Sequence, residues 1–308
     1  MGGEAMNDLT SRTAQFHLPG LFEFFEFYRA FLPLYAAHRD YFYDGCEIAS
    51  IYGAPEGALW GGGRVSEGTA SAREALDLTR SFGISARLTF SNSLLEPEHL
   101  SDPQCNALAR QFAQSAGPRN GVIVHSELLL SYLREKYPEL YFVSSTTKVL
   151  TRFSDLKAEL QREEFSYVVP DFRLNKSFSA LASLPQSLKD KTEFLCNECC
   201  RFACPDRKAC YEAVSRKNLG ISAPEHRCAA PDAKDGYRFS RAMENPGFIG
   251  LSDIRNVYLP MGFSQFKIEG RGLGSAVLLE MLLYYLIKPE HHLRVREALY
   301  LDSSLDLF

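Results

Sequence analysis

Short apolar runs alternate with stretches of helical spacing along most of this sequence, and that rhythm narrows the possible folds more than any other feature. Residues 45–52, 84–90, 121–125, 141–144, 167–170, 192–195 and 263–267 read as strands. Helical spacing fills 71–82, 103–115, 127–136, 153–163, 178–184 and 275–287. Strands joined through an intervening helix pair in parallel, because a tight hairpin is unavailable to them. The expected fold is therefore α/β, a (β/α) TIM-like barrel with scope for irregularity, and a doubly wound open sheet is the alternative. Residues 16–38, rich in Phe, Leu and Tyr, read as one or two helices packed on the core.

A chain of 308 residues suits one such barrel, so we expect a single domain over 1–308 with an insertion at about 200–245, where Ala, Pro, Asp, Lys and Arg break the rhythm. Hydrophobic residues at 45% and charged residues at 23% allow a sizeable core. A formal net charge of -4 argues against a general polyanion-binding surface, leaving RNA as a partner without support from charge. The sequence has no apolar run of membrane-spanning length, and residues 1–15 lack a basic region followed by an apolar one. A cytoplasmic protein is expected.

Six of the eight cysteines, Cys196, Cys199, Cys200, Cys204, Cys210 and Cys228, follow directly on one predicted strand. Disulfide frameworks belong to small secreted chains and tie distant segments, so metal binding is the better reading. Thiolates on short loops suit zinc or a 4Fe-4S cluster. Structural zinc usually takes two paired knuckles, whereas Cys210 and Cys228 lack a second partner at that spacing, so a cluster fits better and zinc is the alternative. The pattern C-x3-C-x2-C is absent, since the pairs Cys196/Cys200 and Cys200/Cys204 are followed at the third position by Ala203 and Arg207. Arg201 and Arg207 stand near these thiols, either as charges that tune a cluster or as solvated residues.

Lys267, Glu269 and Arg271 alternate on the last strand, so a period of two aims all three into the barrel, where unpaired charge is costly. They are candidates for binding a polar ligand, or for pairing with one another. Gly270-Arg-Gly-Leu-Gly-Ser275 then leads into a helix, a weak anion-site pattern. Glu47, Asn92, His125, Glu127, Ser144, Asp171 and Asn197 fall near predicted strand ends and mark a barrel mouth, with Glu47 and Asn197 added to the substrate candidates. Each taken singly reads more readily as a cap than as a catalyst. Trp60, beside Gly61-Gly62-Gly63, reads as a stacking platform or a loop anchor, and His291-His292 as surface residues. No nucleophile elbow, H-E-x-x-H or Walker loop occurs.

Phe194-Leu-Cys-Asn-Glu-Cys-Cys-Arg-Phe-Ala-Cys-Pro205 resembles the V-N-x-G-C-x-x-x-C-P segment of the collagenase-like (U32) peptidase family, and Phe266-Lys-Ile-Glu-Gly-Arg271 is similar to its K-I-E-G-R signature. Segments 141–147 and 167–173 resemble its mid-chain strands. Glu198-Cys199 departs from the family's x-Gly. The resemblance implies the iron-sulfur members that support oxygen-independent hydroxylation of an aromatic or nucleobase substrate. It places Cys200 and Cys204 on the motif's two cysteines, with Cys228 as a late ligand and Cys210 as the fourth, Cys196 and Cys199 being alternates. It also leaves open a peptidase of the U32 type, and a non-catalytic subunit that works as a heterodimer with a second family member.

Overall fold

The computed structural model describes residues 12–63, 68, 70–222, 226–228, 230, 233 and 236–301. Eight strands, β1 (Ala14–Pro19), β2 (Cys46–Gly53), β3 (Ser85–Phe90), β4 (Gly121–Val124), β5 (Tyr141–Ser144), β6 (Tyr167–Val168), β7 (Glu193–Leu195) and β8 (Gln265–Lys267), form one sheet in the order β6-β5-β4-β3-β2-β1-β8-β7. Every pairing in it is parallel. The two end strands meet through one parallel bridge between Val168 and Thr192, where the Val168 amide also donates to the Lys191 carbonyl. The sheet is thus a nearly closed α/β barrel of the TIM type, and the open doubly wound sheet is excluded.

Helices α1 (Phe25–Ala37), α2 (Ala72–Ser81), α3 (Pro103–Gln114), α4 (Glu127–Lys136), α5 (Phe153–Leu160), α6 (Phe178–Ala182) and α7 (Gln186–Lys189) fall between the strands. Between β7 and β8 come α8 (Arg207–Asn218), α9 (Phe239–Met243) and α10 (Leu251–Asp253), and α11 (Ser275–Leu286) and α12 (His292–Leu301) close the chain. Local chemistry sets several starts. Ser71 and Glu74 form a capping box on α2, and the Ser126 hydroxyl accepts the Leu129 amide at the head of α4.

The all-helical reading of 16–38 is corrected. β1 occupies its beginning, and α1 starts only after a turn at Gly20, whose φ of +88° lies in the left-handed region. The strand escapes pattern reading because it runs through Pro19-Gly20 directly into the Phe- and Leu-rich α1; its Phe16 and Leu18 point outward into the helix layer and His17 into the barrel. No described helix is long and apolar enough to cross a membrane.

Inside the barrel the side chains form layers. At the floor lie His17, Arg87, Glu193 and Lys267, all buried. Above them Tyr52, Ile123, Val143, Val169 and Leu195 make an apolar belt. The insertion sits over the open end. Its helix α8 is tied there by Asn218 Nδ2, which donates to the Gly61 carbonyl at 2.6 Å, and by the Ser215 hydroxyl, which accepts the Ser93 amide at 3.1 Å. Parts of the expected 200–245 insertion lie outside the described residues.

Candidate functional site

The C-terminal ends of the strands open into a cavity of about 2090 Å³. Tyr52, Ile123, Val169, Leu195 and Lys267 line its base, and Thr89, Ser91, Glu269 and Arg271 line its sides. Cys199, Cys200, Cys204, Cys210 and Cys228 also border it. Barrels of this kind carry their chemistry at this end.

Lys267 ends β8 and points inward as its register requires. Its Nζ lies 3.4 Å from Glu193 Oε1 and 3.6 Å from the centre of the Tyr52 ring. Glu193 is shared. Its other oxygen accepts Arg87 Nη1 at 2.6 Å and lies 3.5 Å from His17 Nε2. His17 is further held by Ser50 at Nδ1 and Gln265 at Nε2, while Arg87 Nε donates to the Tyr141 hydroxyl at 2.7 Å. Burial, reinforced by Arg87, brings the His17 imidazole down to about 3, so it is neutral here. Burial likewise brings the Lys267 ammonium down to about 8, with Glu193 opposing the shift and Arg87 and Arg271 adding to it. Burial opposes the charge on Glu193, yet it stays ionised at about 2, because Arg87, by charge and hydrogen bond, and Lys267 outweigh that desolvation.

The three charges of the alternating series share the cavity but not one row, because strand geometry ends at Lys267. The Glu269 side chain turns toward the cysteine loop, where it accepts the Cys199 amide at 3.4 Å. Arg271 turns the other way, its Nε 4.0 Å from Glu23 Oε1. A Cβ on Gly63 would stand 2.2 Å from Arg271 Nη2, so the glycine run admits this guanidinium. Both carboxylate oxygens of Glu23 and Nη1 of Arg271 are buried without a hydrogen-bond partner, as are the hydroxyls of Thr89 and Ser91. Burial raises the Glu23 carboxyl above the usual range. Unpartnered polar atoms gathered at one opening mark a place where a polar ligand completes the bonding.

The cysteine loop is fixed by ion pairs. Arg207, at the head of α8, reaches Glu198 Oε2 at 2.5 Å and Asp171 Oδ2 at 3.3 Å. Arg173 Nε donates to Asp171 Oδ1 at 2.6 Å, and its Nη1 reaches the Cys204 carbonyl at 3.3 Å. Glu198 Oε1 accepts the Cys200 amide, and Asn245 Nδ2 donates to the Cys200 carbonyl at 2.9 Å. Arg207 is therefore a buried clasp instead of a solvated charge. Burial raises the Cys200 thiol to about 12, against the pull of Arg207.

Three sequence candidates change role, and a fourth, Trp60, takes the second of its two expected roles. Cys196, an alternate ligand, continues β7 on its outer side and is packed in the helix-layer core, so it faces away from the other thiols. Burial holds its thiol well above the usual range. Glu47 stands at the N-terminal end of β2, exposed and bonded to Gln15, at the opposite end of the barrel from the cavity. Asn197 is buried and joins the β7 and β8 exits: its Nδ2 donates to the Glu269 carbonyl and its Oδ1 accepts the Glu269 amide. Trp60 is a loop anchor, with no exposed surface and its Nε1 donating to the His99 carbonyl at 2.8 Å.

The remaining mouth residues are structural partners. Asn92 bonds the Leu59 and Ser215 carbonyls, His125 pairs with Thr147, Glu127 with Lys148 and Arg162, Ser144 with Glu159, and Asp171 with its arginines. His291 is half-buried and stacks on Tyr41, and His292 bonds the Ile287 carbonyl. Spacing did not reveal His226, whose Nε2 lies 2.8 Å from Cys210 Sγ on the cavity wall. Glu23 was equally hidden, sitting in a segment with no motif.

Among the described residues, one group of three metal-capable atoms lies within 4.8 Å, that of Glu198, Cys199 and Glu269. Four thiolates around one zinc ion, at about 2.3 Å each, stand about 3.8 Å apart. Thiolates of a cubane each bind a separate iron and are spaced more widely. Five thiols bordering one cavity without a tight trio are thus compatible in donor type and placement with a cluster.

Comparison of the sequence with family models and with curated proteins returns no match. Among solved structures, the U32 peptidase Mk0906 superposes with a TM-score of 0.52 at 15% identity, covering 85% of this chain and 94% of that one. This likeness shows the fold alone, an α/β barrel similar to that of Mk0906. The site residues must be read from their own chemistry.

Proposed function

We propose that the chain is an iron-sulfur protein of the U32 kind, and that Cys200, Cys204, Cys210 and Cys228 hold a 4Fe-4S cluster at the edge of a substrate cavity, with Cys199 as the alternate ligand. The observation that carries this reading is the placement of five thiols around one cavity lined with unpartnered buried polar atoms. The function that fits best is an oxidoreductase supporting oxygen-independent hydroxylation, or a related modification, of an aromatic or nucleobase substrate in the cytoplasm. When bound, the cluster supplies one-electron transfer. Arg207 and Asn245 hold the loop that carries its ligands, Arg271 receives an anionic group of the substrate, and the Tyr52, Ile123, Val169 and Leu195 base gives an aromatic ring an apolar seat.

Anaerobically purified protein is expected to be brown, with iron and sulfide each at about four per chain. Colourless protein carrying stoichiometric zinc would end this reading. Cys200→Ala, Cys204→Ala and Cys228→Ala should each lose the cluster, whereas Cys46→Ala, Cys105→Ala and Cys196→Ala, which remove buried thiols away from the cavity, should keep it.

A peptidase remains the second reading. The Cys210 and His226 contact at 2.8 Å supplies the nucleophile and base that sequence alone did not offer. Thiol-dependent hydrolysis of a peptide by iron-free protein, lost in His226→Ala, would favour it. A third possibility, a subunit that acts only with a second family member, is separated by assaying the chain with and without that partner.

A further inference from the structure

We propose that Lys267 is a carbonyl-condensing amine, and that its partner is a 2-oxo acid whose carboxylate is received by Arg271. This goes beyond the cluster reading and does not depend on it, although both give Arg271 the anionic end of a ligand.

The case starts from how poorly the Lys267 ammonium is accommodated. An ammonium has three donors, and this one is buried with a single long bond of 3.4 Å to Glu193. The carboxylate it touches is already engaged by Arg87 at 2.6 Å. One anion therefore serves two cations, and Arg271 adds a third positive charge that acts on Lys267. The neighbouring His17 is neutral, and the Tyr52 ring, 3.6 Å from Nζ, gives the ammonium a cation–π contact but no hydrogen-bond acceptor. Burial, with Arg87 and Arg271 adding to it against Glu193, brings the Lys267 ammonium down to about 8, so a larger share of it is free amine at neutral pH than of an exposed lysine. A neutral amine at the base of an accessible cavity is the nucleophile that carbonyl chemistry uses.

The second half of the case is what surrounds it. Arg271 keeps a buried Nη1 without a partner, and the Thr89 and Ser91 hydroxyls are unpartnered on the same cavity. A ligand bearing an anion and a carbonyl satisfies both kinds of vacancy. In the step itself, the Nζ lone pair forms a bond to the carbonyl carbon while the π pair moves to oxygen, which takes up a proton. Loss of that hydroxyl as water, with release of the remaining excess proton from nitrogen, leaves the C=N bond of an imine. Nothing is oxidised or reduced, and no co-reactant is required.

The test uses the full chain, purified anaerobically, with glyoxylate as the 2-oxo acid probe and cyanoborohydride to trap the imine as a stable amine. Peptide mapping should find the carboxymethyl group on Lys267 about tenfold or more faster than on exposed lysines, because a pKa near 8 leaves far more neutral amine at neutral pH than the ordinary value near 10.4. Arg271→Gln should slow trapping of neutral acetaldehyde at Lys267 modestly, because the amine loses a charge that lowers its pKa, and should slow trapping of glyoxylate by about tenfold more than that, the scale of one lost charged contact. Labelling of Lys267 no faster than of exposed lysines would overturn the amine, and this is read on the unaltered protein, whose folding is not in question. Equal slowing of both probes would overturn the assignment of Arg271 to the carboxylate. Iron and sulfide measured on the same sample keep the outcomes apart: labelled Lys267 in cluster-free protein sinks the cluster reading alone.

Discussion

The floor of the barrel and the cysteine loop are both held by buried charge, yet their ledgers differ. At the floor a single carboxylate, Glu193, faces Arg87, Lys267 and the neutral His17, four groups brought from four strands. At the loop two carboxylates, Asp171 and Glu198, face two arginines, Arg173 and Arg207, all from segments just beyond strand ends. The floor carries surplus positive charge on strands, and the loop is balanced on connecting segments and the head of α8. Surplus charge in a cavity base points to chemistry with anions and carbonyls, whereas a balanced clasp points to positioning.

The sharpest way to break this contrast is to remove the single anion. Glu193→Ala leaves two buried cations uncompensated and should cost about 3 to 5 kcal/mol in urea unfolding. A loss below about 1 kcal/mol would mean that the cations reach water, and the floor would then be no different from a surface network. Iron content per folded chain should be unaffected.

Arg207→Ala should cost less, about 3 kcal/mol, because the loop and α8 have room to swing toward solvent. Its distinguishing result is elsewhere: the variant should lose most of its iron while the far-ultraviolet spectrum of the barrel persists. Full iron retention would remove the clasp from the ligand-positioning role.

The smallest effect is a pH dependence. His17 falls from 6.5 to about 3 on folding, and His125 from 6.5 to about 4, so the unfolded chain binds more protons throughout that range. Stability is complete above about 6.5 and declines as the pH drops toward the folded values, by about 1.4 kcal/mol per pH unit for each histidine. Glu193 adds to the loss only below about 4.5. Between pH 6 and 5, His17→Asn should halve the slope. An unchanged slope would mean that His17 is protonated in the folded state and contributes a third positive charge to the floor.

Seven of the eight strands and helices α2 to α6 and α11 were legible in the sequence because their apolar runs obey the periods that burial imposes, whereas α8 and α12 were not read. β1 was not legible, since its alternation passes through Pro19-Gly20 straight into the Phe- and Leu-rich stretch of α1 and the two read as one helical segment. The thiol group announced itself by density, but spacing alone did not show that Cys196, just past a strand of only three residues, faces outward. In the event Phe194 and Cys196 share the outer face and Glu193 and Leu195 the inner one. The Lys267, Glu269 and Arg271 series was read correctly as cavity-lining and wrongly as a row, because a short strand gives way to glycine-rich backbone after its first member. Glu23 and His226 carry no local signal at all, and only tertiary contact brings them to the site.

One feature of the closure gives the molecule a direction of weakness. The barrel is joined between β6 and β7 by a lone bridge, and the residues just past those two strands, Asp171 and Glu198, are the pair that Arg207 grips. The thinnest seam of the wall and the loop rich in thiols are therefore tied through one side chain. Whatever binds tightly to that loop also acts as a rivet on the seam, so its occupancy should be read in the whole barrel's resistance to unfolding, by ordinary mass action, as well as at the site itself.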